Sequence, residues 1–292
     1  MESTKIAPRL GLNVPYEQWP AAPVLKEIEA AGFAWTQVPS PPQPVLLDGR
    51  RLLRHASALA AALETSGLRP LLHAPGSLRA GSRDGDRAFH GLLTYASEVG
   101  ASQIVYHAAN LPDGPASEDA LLGEIRSLSE LARRAEELGV TIALENLAPV
   151  FPGPDALSFT PRLLRTVANR LASPAVGLCL DLGHANVVAD LRHTDPIELL
   201  EPALDHATLF HLHDNLGARR GVESPPELDP LRLDLHLPPG RGTVPWERLA
   251  PLLERNQSPL VLEVHPAHRP PAAAIHERAV SALGLRAERA FA

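Results

Sequence analysis

The chain carries a single cysteine, Cys179, in 292 residues, so no disulfide framework can form within it. That thiol sits inside the apolar run 176–182 and reads as core filler rather than as a nucleophile. A reducing, cytosolic home is the expectation. No apolar stretch reaches the roughly 18 residues of a membrane-spanning helix. The start, Met1-Glu2-Ser3-Thr4-Lys5-Ile6, lacks the apolar core of a secretory signal. An excess of positive charge is missing too. The formal net charge of −7 argues against a surface built for phosphate backbones, though not against a local basic cleft. There is no G-x-x-x-x-G-K-[ST] phosphate loop, and Gly240-Arg241-Gly242 is too short a signal for a nucleotide fold. The absence of a G-x-S-x-G elbow removes the commonest serine-hydrolase signature.

What is abundant is proline, at 30 residues about twice the usual share, and histidine, at 13. The prolines fall mostly between hydrophobic runs, where they stiffen loops, and they build no repeat of the kind a disordered chain would show. The chain is 45% apolar, enough for a large core. Its length is close to the roughly 250 residues of one (β/α)₈ barrel but would also admit two domains, so the order of segments must decide.

That order is an eightfold alternation. Strand-like runs at 9–14, 33–38, 68–73, 102–107, 140–145, 175–181, 208–213 and 260–265 are separated by helical patterns. The helices are expected at 23–31, 52–65, 87–99, 118–138, 160–171, 196–204, 246–255 and 273–283. Runs such as Val140-Thr141-Ile142-Ala143-Leu144 are apolar on both sides, as strands covered on both faces require. Gly32, Gly67, Gly100 and Gly139 each precede a strand and are expected to close a helix. Strands alternating with helices pair in parallel, and eight such units close into a barrel. The expectation is therefore a single α/β domain over residues 1–292, a (β/α)₈ TIM barrel with a long loop, 215–245, after the seventh strand. An open doubly wound sheet is the structural alternative. A loop of that length points to function.

In such a barrel the active site lies at the C-terminal strand ends. There the sequence places His73, His107, Glu145, Asp181 with His184, His211 with His213 and Asp214, and Glu263; Asp234 and His236 lie in the long loop. One histidine after an apolar run is more often a hydrogen-bonded core residue than a ligand. Six consecutive strand ends carrying a carboxylate or imidazole are different, because isolated charges there would each cost several kcal/mol of desolvation. A divalent metal stabilises carboxylates and neutral imidazoles together, and mixed N/O donors suit Zn²⁺, Mn²⁺, Fe²⁺ or Co²⁺ better than Ca²⁺. The D-x-H spacing of Asp234 and His236 puts both side chains on one side of an extended segment.

At these residues the sequence resembles the xylose isomerase-like barrel superfamily. The resemblance is carried by Asp181-Leu182-Gly183-His184-Ala185-Asn186, His211-Leu212-His213-Asp214-Asn215 and Asp234-Leu235-His236-Leu237-Pro238-Pro239-Gly240-Arg241-Gly242. The last looks like a segment of sugar phosphate isomerases/epimerases, with Arg241 where an acidic residue often stands. Resemblance to the ketose 3-epimerases implies one metal on Glu145, Asp181, His211 and Glu263. It further implies Glu145 and Glu263 as the acid/base pair of a proton transfer through a metal-stabilised enediolate, with His184 on a substrate oxygen. His213, Asn215 and Arg241 are the further substrate-binding candidates. Resemblance to endonuclease IV implies a full three-metal set on His73, His107, Glu145, Asp181, His184, His211, Asp234, His236 and Glu263, so one to three metals per chain (Zn, Mn, Co or Fe) are expected. The leading expectation is a metal-dependent sugar or sugar phosphate isomerase/epimerase. The alternatives are a multinuclear phosphoester hydrolase and a metal-dependent lyase or oxidase on the same barrel. The substrate partner is a small carbohydrate, not nucleic acid or membrane, and a homo-oligomer is left open. Arg219, Arg220 and Arg241 are the candidates to meet a phosphate, against the plainer reading of solvated loop arginines.

Overall fold

A computed structural model describes residues 7–150, 153–218 and 232–284. Eight parallel strands close into a barrel in sequence order: β1 (Leu10–Asn13), β2 (Trp35–Pro39), β3 (Arg69–His73), β4 (Gln103–Tyr106), β5 (Thr141–Glu145), β6 (Val176–Asp181), β7 (Ala207–Leu212) and β8 (Leu260–Leu262). Closure is direct, since β1 pairs with β8 as well as with β2. Helices ring the barrel, and none among the described residues is long and apolar enough to cross a membrane.

The side-chain period of two sorts each strand into layers. Leu72, Tyr106, Leu144, Leu180, Phe210 and Leu262 point outward into the main core beneath the helices. Their neighbours Leu71, Val105, Ala143, Cys179, Leu209 and Val261 point inward and form a separate apolar plug, with Trp35 packed against it. Gly11 belongs to the same level, and a Cβ there would stand 2.8 Å from the Trp35 Cβ, so a glycine is what lets the tryptophan into the barrel. Two residues beyond this layer come Gln37, His73, His107, Glu145, Asp181, His211 and Glu263. One alternation therefore builds both the dry floor and the polar rim above it.

The expected helix at 196–204 is a correction. The helix after β6 is Leu182–Arg192, which starts directly on Asp181, followed by the short Pro196–Leu200 and a 3₁₀ turn, Glu201–His206. Residues Leu182 to Ala189 of that first helix are all buried, so it has no amphipathic stripe to read. The helix Gln43–Leu46 was also not expected. Gly32, Gly100 and Gly139 adopt positive φ as helix-closing residues should, but Gly67 does not. The helix before Gly67 ends at Leu63, and the Gly67 N–H donates to Glu29 Oε1 at 2.7 Å. In the long loop, Asp214 and Leu237 exchange both backbone hydrogen bonds, which folds residues 232–245 back over the barrel mouth. Arg219 and Arg220 lie outside the described residues.

Candidate metal centre at the barrel mouth

His211, at the inward position near the end of β7, is the middle of the rim. Its Nε2 meets the Gln37 side-chain oxygen at 2.7 Å, and the Gln37 amide donates in turn to Glu263 Oε1. A glutamine oxygen can only accept, so His211 donates from Nε2. Its Nδ1, which the neighbouring carboxylates keep protonated despite burial until a divalent cation takes the proton's place, is turned toward three carboxylates. Those are Glu145 Oε1 at 2.8 Å, Glu263 Oε2 at 3.4 Å and Asp181 Oδ2 at 3.7 Å. One ligand atom from each of Glu145, Asp181, His211 and Glu263 lies within 4.8 Å of the others. Asp181 is fixed from behind: its backbone N–H and C=O both bond the side chain of Asn146, and its Oδ1 accepts the His184 N–H at 2.7 Å as the cap of the following helix.

Two further donor groups adjoin this one. His73 and His107 face Glu145 Oε2 through Nε2 at 3.5 and 3.0 Å. His184, His213, Asp234 and His236 form the other group, with Asp234 Oδ2 2.9 Å from His236 Nε2 and 3.3 Å from His184 Nε2. Three of these imidazoles are set the same way. The Nδ1–H of His73 donates to the Ala74 carbonyl, that of His184 to Asn146 and that of His236 to Glu263, which turns each Nε2 toward the carboxylates as the atom that could ligate. His236 reaches its place with φ at +49°, a left-handed turn that costs about 1–2 kcal/mol for a side chain with Cβ.

Burial would push the Glu145 carboxyl up, but the charge of His211 and the closeness of His107 and His73 hold it well below the usual carboxylate range. Asp234 is treated likewise, its burial outweighed by His236 and His184, and it too lies well below. Burial disfavours the His236 imidazolium, yet Asp234 and then Glu263 raise it to about 9. Glu145 Oε2, Asp181 Oδ2 and Asp234 Oδ1 are nonetheless buried without a hydrogen-bond partner. Orphaned carboxylate oxygens beside imidazole nitrogens whose protons a metal can displace are a donor set that fits a divalent cation.

All nine residues expected as ligands, His73, His107, Glu145, Asp181, His184, His211, Asp234, His236 and Glu263, are brought together here. The substrate-binding candidates are placed differently from the ligand candidates. Asn215 is fully buried and spent on the Gly183 carbonyl, Asn186 and Gly217. Arg241 has an exposed side chain, and its backbone N–H bonds Asp214. His213 is fully buried behind Asp181 and stacks on His236 at 3.9 Å, within the donor group. None of the three lines the cavity of about 330 Å³ that opens above the centre. Its walls do include Asn13, Tyr16, Gln37, Arg232 and His265. Gln37 was missed because one amide after Trp35-Thr36 has no local signature. Asp214, noted only as a strand-end residue, is the clasp of the loop. It accepts from the backbone of Asn215 and Val244 on Oδ1, and from Gly240, Arg241 and the Trp246 indole on Oδ2.

Comparison with known proteins agrees with this architecture. The family described as xylose isomerase-like TIM barrel matches residues 25–283. An uncharacterized protein of Methanocaldococcus jannaschii, MJ1311, is 29% identical over 125 residues; the match covers 42% of this chain and only 41% of that protein's length. Among solved structures, a D-tagatose 3-epimerase-like protein superposes with a TM-score of 0.70 at 20% identity, covering 94% of this chain and 96% of its own. The 3-keto-D-glucoside 4-epimerase of E. coli gives 0.67 at 18% identity, covering 95% and 99%.

Proposed function

The chain belongs to the xylose isomerase-like TIM barrel family, and from that premise we propose that it is a divalent-metal-dependent isomerase or epimerase of a keto-sugar. One observation carries the reading: Glu145, Asp181, His211 and Glu263 converge within 4.8 Å of one another beside an open cavity. The epimerases among its structural relatives give it further support.

A divalent ion on those four residues supplies positive charge where negative charge develops on the oxygens beside the reacting carbon. The chain's own groups move the proton. Glu145 ends β5 and Glu263 follows β8, so a substrate between them has a carboxylate on either side. Either can serve as the base, since the effect of burial is outweighed at Glu145 by His211, His107 and His73 and at Glu263 by His211, His236 and His73. One removes a proton from the carbon next to the carbonyl and keeps it; the other, protonated from solvent for that turn, delivers a proton to the opposite face, and exchange with solvent resets the pair. Gln37 keeps His211 in one tautomer and Glu263 in one orientation, so both stay aimed at the centre. Arg232 on the cavity wall offers a cation to an anionic substituent, so sugars and sugar phosphates belong in the same assay.

Incubation of a ketose panel in D₂O with Mn²⁺ or Co²⁺ should place deuterium beside the carbonyl, and chelation should stop it. Glu145→Gln and Glu263→Gln should each lower the rate by about 10² or more while the barrel stays folded. Undiminished exchange in both variants would overturn the assignment. A second reading, phosphoester hydrolysis, rests on the His73–His107–Glu145 group that adjoins the first. Cleavage of an abasic-site duplex under the same metals, without exchange into any sugar, would put it first.

A further inference from the structure

We propose that Asn13 is a specificity-determining residue whose side-chain N–H donates to a hydroxyl of the keto-sugar, and that Arg269 is the positioning residue that turns it that way. The inference rests on the reading of the centre as a keto-sugar isomerase or epimerase.

The strand β1 adds its own side chain to the rim. Gly11 lies at the level of the apolar plug, so Asn13, two residues on, points inward beside Gln37, with which it is in register. On the other flank Leu12 is in register with Leu262, which puts Asn13 next to Glu263. Asn13 and Glu263 both line the cavity above the centre. Asn13 thus stands between the glutamine that orients His211 and one of the two carboxylates that move the proton.

Its amide has one allowed orientation. A single side-chain atom faces the Val264 N–H at 3.1 Å and the Arg269 Nη1 at 2.6 Å. Both neighbours can only donate, so that atom is Oδ1. The NH₂ is left as the polar group that Asn13 presents to the cavity, and no acceptor for it occurs among the described residues.

Arg269 holds that orientation from behind. It follows the turn Pro266–His268 and is half-buried. Its guanidinium donates to Asn13 Oδ1, to the Asn13 carbonyl at 2.7 Å and to the Val264 carbonyl at 3.3 Å. Burial lowers its pKa only to about 10, so it stays a cation at neutral pH. A cation on Oδ1 polarises the amide and strengthens the opposite N–H as a donor.

The partner follows from this chemistry. An NH₂ only donates, so it takes an oxygen lone pair. The oxygens beside the reacting carbon face the group of Glu145, Asp181, His211 and Glu263, to which Asn13 does not belong. Asn13 therefore meets a hydroxyl farther along the sugar, and it sorts substrates by whether that hydroxyl is present.

The test couples residue to substrate. Wild type, Asn13→Ala, Asn13→Leu and Arg269→Lys are assayed by D₂O exchange with Mn²⁺ on the best ketose of the panel and on its monodeoxy derivatives. For one derivative the wild type should lose about tenfold or more in kcat/KM relative to the parent ketose. In Asn13→Ala and Asn13→Leu that discrimination should fall to about one, and in Arg269→Lys it should narrow. Comparing two substrates on one protein cancels any effect of a loosened brace. Discrimination that survives in the Asn13 variants is the result expected if Asn13 and Arg269 only brace the chain beside Glu263, and it would overturn the proposal. So would a wild type indifferent to every deoxy position. Discrimination unchanged in Arg269→Lys would remove Arg269 from its role. If Asn13→Ala does not fold, Asn13→Leu, close to asparagine in size, decides. A wild type that exchanges no ketose would instead overturn the reading of the centre, and the proposal with it.

Discussion

Glu124 is a buried carboxylate outside the three donor groups, and it braces the loop that follows His107. Its Oε1 accepts from the Tyr106 hydroxyl at 2.6 Å and its Oε2 from the Ala109 N–H at 3.0 Å, where Ala109 sits at a φ of +50°. The Tyr106 oxygen also accepts the Ala80 N–H. Burial raises the Glu124 pKa above its ordinary 4.5, although these hydrogen bonds pull it down. The folded state therefore holds the proton more tightly than the unfolded chain does. That contribution to stability is fully present below the ordinary value and is lost as pH rises through the raised one. Glu124→Gln removes the titration. Urea unfolding of both proteins across that window should show the wild type losing stability relative to the variant as pH rises. A constant difference, or one of opposite sign, would count against the assignment.

At the scale of elements, the segment after β7 is held by Asp214 through donors on both carboxylate oxygens. Asp214→Ala should cost about 3 kcal/mol or more, since several buried N–H groups lose a charged acceptor. Asp214→Asn should be nearly as harmful. Either orientation of the amide turns its NH₂ on at least two N–H donors, because Oδ1 and Oδ2 each accept more than one. Chemical denaturation gives the loss, and hydrogen exchange should locate it in residues 240–246. An Asn variant as stable as wild type would show that the clasp is not electrostatic. The same element shows how far local reading went. The Asp234–His236 pairing was legible from its spacing, although His236 meets Asp234 through a left-handed turn rather than through plain extended alternation. The fate of Asn215 and Arg241 was not, because it depends on which groups the returning chain happens to meet.

For the whole molecule, the buried carboxylates and imidazoles of the mouth should make stability depend on metal. Binding to the folded state alone adds about 2.7 kcal/mol at a ligand concentration 100 times Kd. For a chain of this size that corresponds to a rise of roughly 4–5 °C in Tm. Differential scanning calorimetry after chelation, and again after Zn²⁺ or Mn²⁺ is restored, should show this rise and its reversal. A Tm indifferent to metal would mean that no ion binds the folded barrel tightly.

The sequence by itself determined the barrel and the inventory of its rim. Eight apolar runs punctuated by helices admit few other closures, and the residue two places beyond each plug position is inward wherever the strand pairs. The tertiary structure alone decided what those rim residues do to one another. Gln37 acquires a role only when closure brings it to His211 and Glu263, 174 and 226 residues away. The helix Leu182–Arg192 hides its period by being buried almost all round. His213 changes from a strand-end residue to a member of a donor group only when Asp234 folds back upon it. Periodicity is set by a residue and its neighbours in the chain, whereas tautomer, clasp and donor geometry are set by contacts between distant segments.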